Sequence, residues 1–166
     1  MNAWDRIAGT IASEFSDIKD LEELTRVTVR LLVAAVLGAL LGLERERAGK
    51  AAGLRTHILV ALGGAIFVLV PLQAGMETAD LSRVIQGVVA GVGFLCAGTI
   101  LKSQDEDQVR GLTTAAGLWL TAAIGLAAGM GREMTALLSA LLAFAVLRAE
   151  APLVRLLGNR KPGRPD

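Results

Sequence analysis

Glu44, Arg45 and Glu46, with Arg55, Thr56 and His57 a short polar segment later, place carboxylates, guanidiniums, a hydroxyl and an imidazole close together in the chain. Two carboxylates such as Glu44 and Glu46 can hold a hard cation such as Mg²⁺, which usually keeps several waters. The same carboxylates can be neutralised locally, because Glu46 precedes Lys50 by four residues and Glu44 precedes Arg47 by three, spacings that pair on a helix surface. A second group, Arg110 with Thr113 and Thr114, stands at the start of a later apolar run. Helix starts present free N–H groups and the positive dipole end, so Arg55/Thr56 and Arg110/Thr113/Thr114 form a candidate anion site. Thr also serves as a plain N-cap, and Arg55 and Arg110 are equally counter-ions for Glu44 and Glu46. His57 is the only histidine, which suits a pH response better than a metal site. No nucleophile–base constellation is visible. The expectation is a protein that is not an enzyme and needs no cofactor, with Mg²⁺ at Glu44/Glu46 as the one candidate ion.

The elements that must position these groups are apolar. More than half of the residues are hydrophobic, with few aromatics and 19 glycines. Five apolar segments lie at roughly 25–43, 57–75, 84–101, 112–131 and 134–154, and a membrane-spanning helix needs about twenty residues. The expected fold is all-α: a polytopic membrane bundle of about five transmembrane helices over residues 25–155. An amphipathic helix over residues 1–24 precedes it, with Trp4, Ile7, Ile11, Phe15, Ile18 and Leu21 on one stripe. Residues 156–166 form a polar tail expected to be disordered. Arg30 falls inside the first span, about two turns from its end, where it either snorkels to the interface or meets an interior partner.

Small residues recur every fourth position within the spans: Ala34, Gly38 and Gly42; Gly87 and Gly91; Gly117, Thr121, Gly125 and Gly129. Such ridges let helices cross closely in lipid, within one chain or between copies in a homo-oligomer. Lys and Arg are biased about two to one toward the linkers on the C-terminal side of the membrane. That bias predicts a cytoplasmic C-terminus and, with an odd helix count, an N-terminus outside. The formal net charge of +1 offers nothing to nucleic acid. The lipid bilayer is the expected partner.

Four motifs carry a family resemblance: Arg30…Gly38…Gly42-Leu-Glu-Arg-Glu, Gly53-Leu-Arg-Thr-His, Gly91-Val-Gly-Phe-Leu-Cys-Ala-Gly-Thr-Ile, and Val109-Arg-Gly-Leu-Thr-Thr-Ala-Ala-Gly-Leu-Trp. In this order the chain resembles the MgtC/SapB family of bacterial membrane proteins, over residues 25 to 150. The family usually has Gly where Cys96 stands. Some members carry a further C-terminal ACT-like domain, for which this chain ends too early. The resemblance implies a bacterial plasma-membrane protein linked to adaptation to low magnesium and, in pathogens, to virulence. It also implies the ATP synthase as a membrane partner, because some members are reported to act on it rather than to transport Mg²⁺. The positions it marks are Glu44, Arg45, Glu46, Gly53, Arg55, Thr56, His57, Arg110, Thr113 and Thr114. Two functions follow as expectations: a non-enzymatic membrane regulator, or a transporter or sensor of Mg²⁺ or an anion through a cytoplasm-facing polar site.

Overall fold

The computed structural model describes residues 2–102 and 109–157. It is an all-α bundle of six helices: α1 (Ala3–Glu14), α2 (Leu21–Arg47), α3 (Leu54–Gln73), α4 (Thr78–Ala97), α5 (Leu112–Gly129) and α6 (Glu133–Leu157). A two-residue antiparallel ladder, β1 (Leu101–Lys102) with β2 (Val109–Arg110), joins α4 to α5. Four of the helices, α2 to α5, are long and apolar enough to cross a membrane. The fifth expected span corresponds to α6, which is apolar from Met134 to Leu147 and whose side chains are described as far as Ala149. The tail from residue 158 onward, expected to be disordered, lies outside the described residues.

Local chemistry sets the helix boundaries. The Glu23 N–H donates to Asp20 Oδ1 at 2.7 Å, which caps α2, and Glu22 and Glu23 sit at its positive dipole end. Arg45 and Arg47 occupy the negative end. The single amphipathic helix expected over residues 1–24 is therefore two pieces: α1 stops at Glu14 and a new helix begins after Asp20. Every described residue of α1 is exposed, including Trp4 at 79% and Phe15 just after it at 83%, so its apolar stripe packs on nothing in the bundle. At the other end α2 continues through Arg47, so the Glu44–Arg47 cluster is the last turn of the helix and not a linker.

Helix α5 lies at the centre and touches α2, α3, α4 and α6. The α3–α5 contact is made backbone to backbone. A Cβ on Gly125 would collide with the Ala61 carbonyl, and one on Gly129 with the Ala65 carbonyl. Matching four-residue steps along both helices mean that they run parallel. Gly64 makes the same kind of approach, its missing Cβ falling 2.7 Å from the Ala122 carbonyl oxygen. Helix α2 crosses α3 through Gly38 and Gly42, where added Cβ atoms would lie 2.7 Å from the His57 carbonyl oxygen and 2.8 Å from Leu54 Cα. Around these crossings Ala34, Leu37, Leu41, Ala61, Ala65, Ile124, Ala128, Ala136 and Ala140 form the main core. Alanine dominates because helix axes this close leave no room for larger side chains.

Two of the expected crossing glycines are placed differently. Gly87 and Gly91 sit on the exposed face of α4, where an added Cβ would meet nothing within 4 Å. Helix α4 instead packs through Leu81 and Val88 against Val68 and Leu126. Gly111 is constrained at the entry to α5: its φ is +95°, and any Cβ would strike the Thr99 carbonyl.

The two kinds of glycine should separate experimentally. Gly125→Leu should destabilise the bundle by about 1–3 kcal/mol or more through overpacking, and Gly87→Leu by less than about 0.5 kcal/mol as a surface change. Denaturation in detergent micelles reads both, and an equal loss would contradict the packing described.

Candidate functional site

The candidate residues divide between the two ends of the bundle. Arg30 stands alone at the end where α5 finishes and α6 starts. Its Nη1 donates to the Gly129 carbonyl at 3.2 Å, and its Nε lies 3.9 Å from Glu133 Oε1. A Cβ on Gly131 would sit 2.5 Å from Arg30 Nη2, so the turn after α5 is shaped around the guanidinium. The interior partner is the reading realised: Arg30 caps the C-terminal, negative end of α5 and ties α2 to α5 and α6.

The other candidates gather at the opposite end, around the α2–α3 hinge at residues 48–53. Glu46 Oε2 accepts the Leu54 N–H at 2.8 Å. It caps α3 across the hinge because the N-cap residue, Gly53, has no side chain to do so. A Cβ on Gly53 would lie 2.8 Å from that same oxygen, which is why glycine stands there. The start of α3, expected as an anion site, is thus filled by the chain's own carboxylate. Neither Thr56 nor Thr113 and Thr114 is an N-cap, the N-cap residues of α3 and α5 being Gly53 and Gly111.

Arg45 turns the other way. It is 1% exposed, on the face of α2 that also carries Ala34, Gly38, Leu41 and Gly42. Its Nη1 is 3.9 Å from Glu44 Oε2, close enough for Coulombic attraction but too far for a hydrogen bond. Arg45 Nε and Glu44 Oε2 are both buried without a hydrogen-bond partner among the described residues. His57, the buried imidazole one turn into α3, is 0% exposed. Its Nδ1 lies 3.0 Å from the Gly53 carbonyl oxygen, and its Nε2 is buried and unpartnered among the described residues. A carbonyl can only accept, so Nδ1 carries a proton, and in the neutral imidazole Nε2 is then an acceptor.

The remaining candidates frame this interior group. Thr114 is buried on α5, whereas Arg55, Arg110 and Thr113 are exposed and Thr56 is half-buried. Cys96 Sγ donates to the Ala115 carbonyl at 3.1 Å and pins the end of α4 to the first turn of α5. Ala52, Cys96, Ala115 and Leu118 form a small apolar cluster that covers the hinge.

The two carboxylates of the expected pair each have a separate contact. Glu44 faces Arg45 and Glu46 faces the α3 start, and among the described residues no three His, Cys, Asp or Glu side chains come together as a metal site. The ion pairs among the described residues include Arg26–Glu22, Arg30–Glu133 and Arg45–Glu44, the last with the neighbour of Glu44 on its own helix and not with Arg47. The sequence reading did not find Gly129, Gly131 and Glu133 as the partners of Arg30. Arg45's inward direction was readable from its spacing after Ala34, Gly38 and Leu41.

Apolar spanning helices joined at close crossings, with ionic groups turned inward at both ends, define a polytopic membrane protein. Its family follows from comparison with known proteins: the model of the MgtC family matches residues 31–156, and the chain belongs to that family. It is 49% identical over 116 residues to protein SrpB of Synechococcus elongatus, covering 63% of this chain and 64% of the relative. It is 37% identical over 139 residues to an Escherichia coli protein named "Putative magnesium transporter YhiD", covering 80% of this chain and 64% of the relative. It is 43% identical over 109 residues to protein MgtC of Salmonella typhimurium, covering 66% of this chain and 46% of the relative. The chain thus spans about half to two thirds of the length of these relatives. No solved structure matches.

The buried pair gives a stability prediction. Glu44→Ala should destabilise the protein by about 3–5 kcal/mol, because it strands the Arg45 charge, and the double variant Glu44→Leu/Arg45→Met should recover most of that loss. Denaturation of the purified variants measures both, and an unaffected Glu44→Ala would show that Arg45 does not depend on Glu44.

Proposed function

We propose that this protein is a non-enzymatic regulator in the bacterial plasma membrane that supports growth at low magnesium. Its N-terminus lies outside and its C-terminus in the cytoplasm. The observation that carries the reading is the enclosure of the Glu44–Arg45 pair: Arg45 is 1% exposed, and its nearest counter-charge is the adjacent residue of its own helix. A hydrated cation path would need carboxylates open to water. Here Glu44 is largely buried beside an arginine, while the exposed Glu46 is engaged by the α3 N–H. The resemblance to a family of which some members are reported to act on the ATP synthase supports the same reading.

A regulator of this kind works through a partner in the bilayer. Helix α4 supports that part of the proposal, because its outward face carries Gly87, Gly91 and an 86% exposed Phe94. Small residues beside an aromatic suit the close approach of another protein's helix. The ATP synthase is the partner that the family resemblance suggests, and a second copy of the chain is the other. The free apolar stripe of α1 suits a position along the membrane surface. A second reading, magnesium transport, is favoured by the printed name of the Escherichia coli relative.

Growth at low Mg²⁺ of a bacterium lacking its own family member, together with Mg²⁺ uptake by liposomes holding the purified protein, separates the two readings. The regulator should restore growth and give uptake no greater than empty liposomes. Glu44→Gln should insert normally yet fail to restore growth. Uptake that Glu44→Gln abolishes would establish the transporter instead.

A further inference from the structure

A crevice of about 390 Å³ opens between α5 and α6 at the hinge end of the bundle. That volume falls within the range of small-molecule sites. Its floor is Leu41, His57 and Gly117, from α2, α3 and α5. Its rim carries Ala116 on α5 and Leu142 and Val146 on α6; the last two are 69% and 71% exposed, on a surface that lipid would cover. The lining is apolar apart from His57, Thr113 and Ser139.

Neither the pair at Glu44–Arg45 nor the helix crossings use this crevice. It contains one unfinished interaction. His57 is 0% exposed, its Nδ1 is committed to the Gly53 carbonyl, and its Nε2 has no partner among the described residues. That nitrogen faces Gly117, where an added Cβ would lie 3.7 Å from it, so the glycine backbone is all that lies between Nε2 and the α5 side of the crevice. Leaving a buried acceptor unmatched costs about 1–3 kcal/mol, and a hydroxyl brought in by a ligand would recover it.

We infer that the α5–α6 crevice binds a single-chain amphiphile, with the alkyl body between the two helices and the head donating a hydrogen bond to His57 Nε2. The head must carry a proton to give, because Nε2 is an acceptor; an alcohol or an un-ionised carboxylic acid qualifies and an ester does not. The alkyl body would lie along a lining that runs from Thr113 to Leu120 on α5, about two helical turns, with Ser139 on the facing helix. The inference does not depend on the regulatory reading, since a transporter with the same crevice would bind the same molecule.

Native mass spectrometry of the full chain released from nanodiscs, loaded in turn with 1-decanol, decanoic acid and methyl decanoate, tests it. The wild type should retain decanol, the acid or both at about tenfold lower concentration than the ester, and the arm retained identifies the head. Ser139→Phe, which fills the crevice, should abolish retention of every probe while leaving thermal stability in place. Gly117→Ala, whose added methyl makes only ordinary contact with Nε2, should keep the alkyl site but erase the preference over the ester. Equal retention of all three probes by the wild type, or undiminished retention by a folded Ser139→Phe, would overturn the inference.

Discussion

The close approach of α3 to α5 is the constraint on which the rest of this structure depends. Between spanning helices the hydrophobic effect supplies no attraction, because lipid tails are as apolar as the side chains. Association then rests on dispersion and weak polar contacts, which fall off steeply with distance. Gly125 over the Ala61 carbonyl and Gly129 over the Ala65 carbonyl bring the two backbones into direct contact. The same register turns His57 toward Gly117, one turn below the hinge. Helix α2 is then laid across α3 through Gly38 and Gly42, and that crossing carries Arg45 into the interior. A change at the α3–α5 contact would propagate to every polar group at the hinge end.

Charge at the two ends is handled by one device, a helix terminus paired with a side chain from elsewhere in the fold. Glu46 satisfies the N-terminal N–H of α3, and Arg30 satisfies a C-terminal carbonyl of α5. Each matches the sign of the helix dipole it meets, and each links two helices that close packing alone would hold less specifically. The buried pair Glu44–Arg45 is of another kind. With no hydrogen bond between the partners and unsatisfied atoms on both, it is a poor stabiliser by comparison with apolar packing.

Much of this was legible in the chain. The apolar runs gave the all-α membrane bundle, and four of the helices satisfy the length and hydropathy needed to span. The first apolar run ends at residue 43, yet α2 extends past it through the charge block at Glu44–Arg47 on helix-forming Glu and Arg. The N-terminal helix was read too long because Ile18 and Leu21 continue the stripe by chance while Asp20 starts a new helix. Periodicity marked small-residue ridges on α2, α4 and α5 but not the Ala61–Gly64–Ala65 face of α3, and it could not say which ridge faced a neighbour. Gly38 and Gly125 do, while Gly87 and Gly91 do not, and that depends on how much of α4 the bundle covers. The α5–α6 crevice was invisible because it joins residues from four helices with no local pattern between them.

The central claim, that Arg45 and His57 are enclosed by close packing at the hinge end, is tested most directly by thiol accessibility. In a Cys96→Ala background, Ala51→Cys and Ala52→Cys place probes on neighbouring residues of the hinge, one exposed and one only 4% exposed. A membrane-impermeant maleimide applied to opened membrane vesicles should label position 51 within minutes and position 52 only after unfolding. Equal labelling of the two would reveal a water-filled cleft at the hinge and contradict the account.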